Sequence, residues 1–72
     1  AEAPPTAFPE LTGRERAILE LLASGMRTAE IAETLHLSPK TVSNNMTAVF
    51  AKLHVHDRAG AIIRAREGGL GT

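Results

Sequence analysis

The chain has 72 residues and a formal net charge of zero, so it is one domain at most and carries no overall basic excess for nucleic acid. It has no cysteine, which excludes disulfides and thiolate metal sites and fits a reducing compartment such as the cytoplasm. No apolar run approaches the ~20 residues of a membrane span and no signal-peptide pattern is present. The first residue is Ala1 rather than Met, which points to a piece of a longer or processed protein.

The zero balance hides an asymmetry. Residues 1–33 hold three basic side chains (Arg14, Arg16, Arg27) against six acidic ones, whereas residues 34–72 hold five (Lys40, Lys52, Arg58, Arg64, Arg66) against two. Such a chain can keep a positive side for phosphate and a negative side for solvent or a partner.

Residues 1–9 hold three of the four prolines and read as a linker or arm; the domain proper is 10–72. Phe8, one of two aromatic residues, is expected to pack on the body and mark where order begins. The first helix is predicted at 13–24. Thr12 and Glu15 have the capping-box spacing, Ala17, Ile18, Leu21 and Leu22 form the apolar stripe, and Gly25 suits a left-handed end.

The second helix is predicted at 29–35, with Thr28 as N-cap and Ile31, Ala32 and Leu35 inward. His36 and Leu37 make the turn, with Leu37 buried beneath it. The third helix, 39–53, is capped by Ser38 with Pro39 at its first position. Val42, Met46, Val49, Phe50 and Leu53 recur at helical spacing. Lys40, Ser43, Asn44 and Thr47 form the opposite, polar face, uninterrupted by a carboxylate that would repel phosphate.

Asp57 caps a fourth helix, 58–67, with Ala61, Ile62 and Ala65 toward the core and Gly68-Gly69 at its end, after which Leu70 tucks back. Ile62 and Ile63 lie about 100° apart, so one of them is near the surface. Ala59, Gly60, Ile63 and Arg66 are candidate contacts for another subunit; the alternative for Ile63 is a half-buried side chain.

A small residue on one helix (Ala32), an apolar one early on the next (Val42) and polar side chains on the latter's first two turns are the requirements of a helix-turn-helix. In that reading Thr28, Ser38 and Thr41 offer hydroxyls to phosphate, Lys40 reaches guanine or phosphate, and Asn44 pairs with adenine. His54 and His56, two apart in a connector without cysteine or carboxylate neighbours, do not make a metal site; His36 is equally isolated. No nucleophile–base set and no phosphate-cradling glycine loop is present, so neither an enzyme nor a cofactor is expected.

The stretches LTGRERAILELLASG and TAEIAETLHLSPKTVSNNMTAVFAKLHVHDRAGAIIRA closely resemble the LuxR-type (GerE-like) DNA-binding domain, over about residues 8–70. The resemblance rests on Leu11-Thr12 with Arg14-Glu15, Glu30-Ile31-Ala32, Ser38 with Thr41-Val42, and Lys52-Leu53 with Val55, Arg58 and Ala61. It implies an all-α, four-helix domain whose third helix reads the major groove of double-stranded DNA and whose fourth pairs subunits into a homodimer on DNA. It also implies an N-terminal regulatory domain and RNA polymerase as a further partner.

By position, the resemblance assigns Lys40, Ser43 and Asn44 to base or phosphate contacts, Thr28, Ser38 and Thr41 to the DNA backbone, and Lys52 to a phosphate or structural contact. Three positions depart from the pattern: Ser43 where many members have Lys, Asn45 where many have His, and Gly60 where many have Glu or Gln. Two alternatives stand beside this reading. A sigma-factor promoter-reading domain shares the Glu-Ile-Ala and Thr-Val elements but ends before a helix equivalent to 58–67. A protein-interaction module with weak or lost DNA binding fits the zero net charge and the loss of a cation at Ser43.

Overall fold

The computed structural model describes residues 8–70; the predicted arm lies outside them except for Phe8 and Pro9. Four helices follow one another: α1 (Gly13–Ala23), α2 (Thr28–Leu35), α3 (Pro39–Leu53) and α4 (Arg58–Glu67). Among the described residues there is no strand, and no helix is long and apolar enough to cross a membrane. The architecture is the expected all-α, four-helix one. α1 lies against both α3 and α4, while α2 packs chiefly on α3.

The starts of the helices are written locally. The Thr12 hydroxyl accepts the Glu15 amide (3.1 Å) and the Glu15 carboxylate accepts the Thr12 amide (2.9 Å), a complete capping box. Ser38 Oγ accepts the Thr41 amide at 3.1 Å with Pro39 in the first turn, and Asp57 Oδ1 accepts the Gly60 amide at 2.8 Å. α2 departs from expectation. Its N-cap is Arg27, extended at φ −81°, ψ 160°, and Thr28 is already helical. The Arg27 amide donates to Glu30 Oε1 at 2.9 Å, but no side chain caps the helix in return.

The ends share one geometry. Gly25, His36, His54 and Gly69 all have positive φ (100°, 58°, 57° and 91°). In each case the next residue's amide reaches back five residues: Met26 to Leu21 (3.2 Å), Leu37 to Ala32 (2.8 Å), Val55 to Phe50 (3.0 Å) and Leu70 to Ala65 (2.9 Å). This is the Schellman closure, in which an apolar side chain just past the left-handed residue folds back on the helix. Leu70 is fully buried; Met26, Leu37 and Val55 are half-buried against the core, so Leu37 is less enclosed than predicted.

The core joins Ile18, Leu19, Leu22 and Ala23 of α1 to Ile31 and Ala32 of α2, to Val42, Met46, Val49 and Leu53 of α3, and to Ala61 and Ala65 of α4. Each fully buried Ile or Leu stabilises the fold by about 1.5–3 kcal/mol relative to exposure. The predicted stripe of α1 was rotated: Leu19 and Ala23 are buried, while Ala17 and Leu21 are only half-buried, because α1 must meet α3 and α4 at once. On α4, Ile62 is half-buried and Ile63 is the exposed isoleucine. The Phe8 ring sits on Gly68, where an added Cβ would come within 2.5 Å of it, so Phe8 does pack on the body.

Candidate nucleic-acid interface

α3 has three environments around its axis. Val42, Met46, Val49 and Leu53 are buried. On one flank the Thr28 hydroxyl approaches Met46 Sδ at 3.8 Å, which sets the start of α2 beside the middle of α3. On the other, Lys52 Nζ reaches Glu15 Oε1 of α1 at 2.7 Å. What remains faces outward: Lys40, Ser43, Asn44 and Thr47, all exposed and, at helical spacing, within about 100° of arc.

The predicted DNA-contact set divides along these lines. Lys40, Ser43 and Asn44 have no hydrogen-bond partner for their side chains among the described residues, so their donors and acceptors are open to a ligand. Ser38 Oγ donates to Thr41 Oγ1 at 2.9 Å while accepting that residue's amide, which leaves the Thr41 hydroxyl proton available. Thr47 Oγ1 donates to the Ser43 carbonyl at 3.1 Å, so its lone pairs face out. Asn45 Nδ2 donates to the Thr41 carbonyl at 2.8 Å and is half-buried; its amide bolts the first turns of the helix together.

Two predicted contacts are engaged within the chain. The Thr28 hydroxyl points at Met46, inside the helix pair. Lys52 pairs with Glu15, a carboxylate only 8% exposed, while Lys52 itself remains 36% exposed. The Lys52 ammonium, then the Thr12 amide, hold the Glu15 carboxylate below its ordinary pKa, against the opposite pull of burial. Lys52 is thus engaged within the fold by an ion pair, while part of its side chain stays exposed.

Three further cations are also spent internally. Arg16 Nη2 donates to the Phe8 carbonyl at 2.9 Å. Arg58 Nη2 donates to the Met26 carbonyl, and Arg66 donates through Nε (3.3 Å) and Nη2 (3.0 Å) to the Ala23 carbonyl. Arg58 and Arg66 thus brace the turn between α1 and α2 from α4. Sequence reasoning missed this brace, because the residues lie 32 and 43 positions from their acceptors.

Of the predicted subunit-contact residues, Ala59 is exposed, Gly60 half-buried and Ile63 59% exposed, whereas the Arg66 guanidinium is turned onto α1. A Cβ at Gly60 would meet Asp57 Oδ1 and Val55 Cβ at 3.3 Å, so a larger residue there presses on the α4 cap. Among the described residues no group of three or more His, Asp or Glu side chains could hold a metal ion.

A buried small-residue contact between α2 and α3, a capped α3 and an outward polar face on its first turns define a helix-turn-helix DNA-binding domain. Residues 9–65 match the family described as bacterial regulatory proteins, luxR family, and the chain belongs to that family. It is 44% identical over 59 residues to the transcriptional regulatory protein DesR of Bacillus subtilis, a match covering 82% of this chain and 30% of DesR. It is 38% identical over 60 residues to the transcriptional regulatory protein ComA of the same organism (83% and 28%). It is 42% identical over 60 residues to the response regulator protein VraR of Staphylococcus aureus (83% and 29%). The chain spans less than a third of the length of these relatives. It is a DNA-binding domain of the kind that bacterial transcriptional regulators carry, not an enzyme.

Proposed function

We propose that α3 enters the major groove of double-stranded DNA and reads sequence through Lys40, Ser43 and Asn44. The observation that carries this is the contiguous face of exposed polar side chains with no internal partner, on a helix whose other sides are held by α1 and α2. Asn44 offers a carboxamide that matches adenine, and Lys40 a point charge for guanine O6 and N7 or for phosphate. Ser38 and Thr41, already oriented by their mutual hydrogen bond, and the outward lone pairs of Thr47 contact the DNA backbone. Thr28 and Lys52 contribute mainly by fixing α3, with the exposed part of Lys52 adding attraction to phosphate.

In this reading two copies bind a two-part site. Ile63, with Ala59 and Gly60 beside it, forms the self-complementary contact, and Arg66 supports it from within. The full-length protein carries an N-terminal receiver-type regulatory domain and acts on RNA polymerase at the promoter, as fits relatives named as response and transcriptional regulators.

The test is selection of duplexes bound by this chain from a random pool, followed by binding of the selected duplex to variants. A two-part repeat about 10 bp apart is expected. Asn44→Ala should relax preference at one base position, costing about 1–3 kcal/mol there. If Lys40→Glu and Asn44→Ala leave binding to every duplex unchanged, the groove assignment is wrong.

A further inference from the structure

The only sulfur atoms of the chain are those of Met26 and Met46, and both are set against α2. Met46 Sδ lies 3.8 Å from the Thr28 hydroxyl at the start of that helix, and Met26 Sδ lies 3.8 Å from the Thr34 hydroxyl near its end. The two sulfurs differ in exposure and in what holds their lone pairs. Met46 is buried in the core, and its sulfur is the acceptor of the Thr28 hydroxyl. Met26 is half-buried, and its contact with Thr34 lies at the surface. The Thr34 hydroxyl has a single proton and donates it to the Glu30 carbonyl at 2.8 Å, a much stronger acceptor than a thioether. The Met26 sulfur therefore keeps its lone pairs uncommitted.

Met26 is also where α2 joins the body. Its amide closes the end of α1 on the Leu21 carbonyl at 3.2 Å, and its own carbonyl accepts Arg58 of α4. Its side chain packs against the core and reaches the last turn of α2. A change of polarity at this one side chain acts on the turn that sets α2, and α2 in turn packs on α3.

We propose that Met26 is a reversible oxidation site, converted by hydroperoxides to the sulfoxide ahead of Met46, and that its oxidation loosens α2 and weakens DNA binding. A sulfur lone pair attacks the peroxide and the O–O bond breaks. The sulfur takes one oxygen and loses two electrons, and hydrogen peroxide leaves as water. The flexible apolar side chain becomes polar, and its new oxygen is poorly placed against apolar neighbours. Beside Thr34, that oxygen competes with the Glu30 carbonyl for the one hydroxyl proton. Methionine sulfoxide reductases return the thioether. The effect on DNA binding rests on the groove assignment of α3.

The test treats the folded chain with hydrogen peroxide and follows it by peptide mass spectrometry, melting curves and binding to a duplex selected from a random pool. Met26 sulfoxide should form well before Met46 sulfoxide. It should lower the melting temperature by roughly 4–8 °C and weaken binding by about fivefold or more. Methionine sulfoxide reductases with dithiothreitol should restore both. Met26→Leu, which keeps volume and apolarity, should bind like the wild type and resist peroxide over the same interval. Met46→Leu, with Met26 as its one sulfur, should lose as much on treatment as the wild type does, each measured against its own untreated form. Oxidation of Met46 first, or of both at one rate, overturns the proposal. So does a Met26 sulfoxide that leaves affinity unchanged while Lys40→Glu lowers it. If Lys40→Glu and Asn44→Ala leave binding unchanged, the groove assignment has failed; the order of oxidation and the melting temperature then decide whether Met26 is the oxidation site that loosens α2.

Discussion

The outward face of α3 and the brace between α1 and α4 use the same chemistry for opposite ends. At the brace, Arg66 satisfies the Ala23 carbonyl, which helix geometry leaves without a partner at the end of α1, and Arg58 satisfies the Met26 carbonyl in the turn that follows. On α3, Lys40 satisfies nothing within the described fold. A count of charges along the chain cannot distinguish these roles. The basic excess of residues 34–72 looks like a DNA-facing half, yet three of its five cations, Lys52, Arg58 and Arg66, bind acceptors on α1 or the turn after it. The difference teaches that packing engages half of the basic side chains of this domain and leaves Lys40 among those without an internal acceptor in the described residues.

That contrast can be broken from either side. Alanine at both Arg58 and Arg66 removes charged donors from one helix-end carbonyl, Ala23, and one turn carbonyl, Met26. We expect a loss of about 2–4 kcal/mol in urea unfolding, with sequence preference on selected duplexes unchanged where the variant is folded. A stability change near zero would show that the brace is ornamental.

Lys40→Glu should do the reverse. Binding to a selected duplex falls by roughly tenfold or more, while the thermal midpoint stays put because the side chain is exposed and makes no internal contact. A fall in stability as large as that in affinity would move Lys40 into the structural group.

Glu15 sharpens the comparison through pH. Its carboxylate is held below its ordinary pKa in the fold, so the stabilisation it provides is complete above the ordinary carboxylate range. That stabilisation is lost as pH falls through the lowered value. Glu15→Gln should therefore be less stable than the wild type near neutral pH, and the gap should close in acid. Melting curves from about pH 7 down to about pH 3 measure this; a gap that does not depend on pH would show that the Lys52 pairing contributes nothing.

The smallest effect belongs to a position outside both regions. Gly13 opens α1 with no atom within 4 Å of where a Cβ would stand and without a positive φ. Gly13→Ala should raise stability by about 0.5 kcal/mol, by restricting the unfolded chain, and leave DNA binding as it was.

Much of the fold was legible because its signals are local. Thr12 with Glu15, Ser38 before Pro39, and Asp57 mark helix starts through hydrogen bonds spanning three residues. Gly25 and Gly69 mark ends through a backbone conformation glycine adopts without strain. His36 and His54 adopt the same conformation but were read only as turn or connector residues, since histidine does not announce it. There, the burial of Leu37 and Val55 offsets a left-handed residue that glycine would have accepted more easily. The α3 stripe was legible because Val42, Met46, Val49 and Leu53 recur at spacings of three and four on one buried face, with Phe50 half-buried at its edge. The α1 stripe was misjudged because α1 turns Leu19 and Ala23 inward, where Ala17 and Leu21 were expected, as it packs on the other three helices.

The candidate site shows the same division. That Lys40, Ser43, Asn44 and Thr47 share a face follows from 3.6 residues per turn and needs no tertiary structure. Family membership, too, was readable from spaced residues, since those spacings record helix and turn lengths. The sequence by itself determined four helices, the N-caps of α1, α3 and α4 and which side of α3 is polar, because each depends on residues within about one turn of each other. Tertiary packing alone decided which cations remain available. Lys52, Arg58 and Arg66 find their acceptors 32 to 43 positions away, and only the packing of α1 against α3 and α4 brings those acceptors within reach.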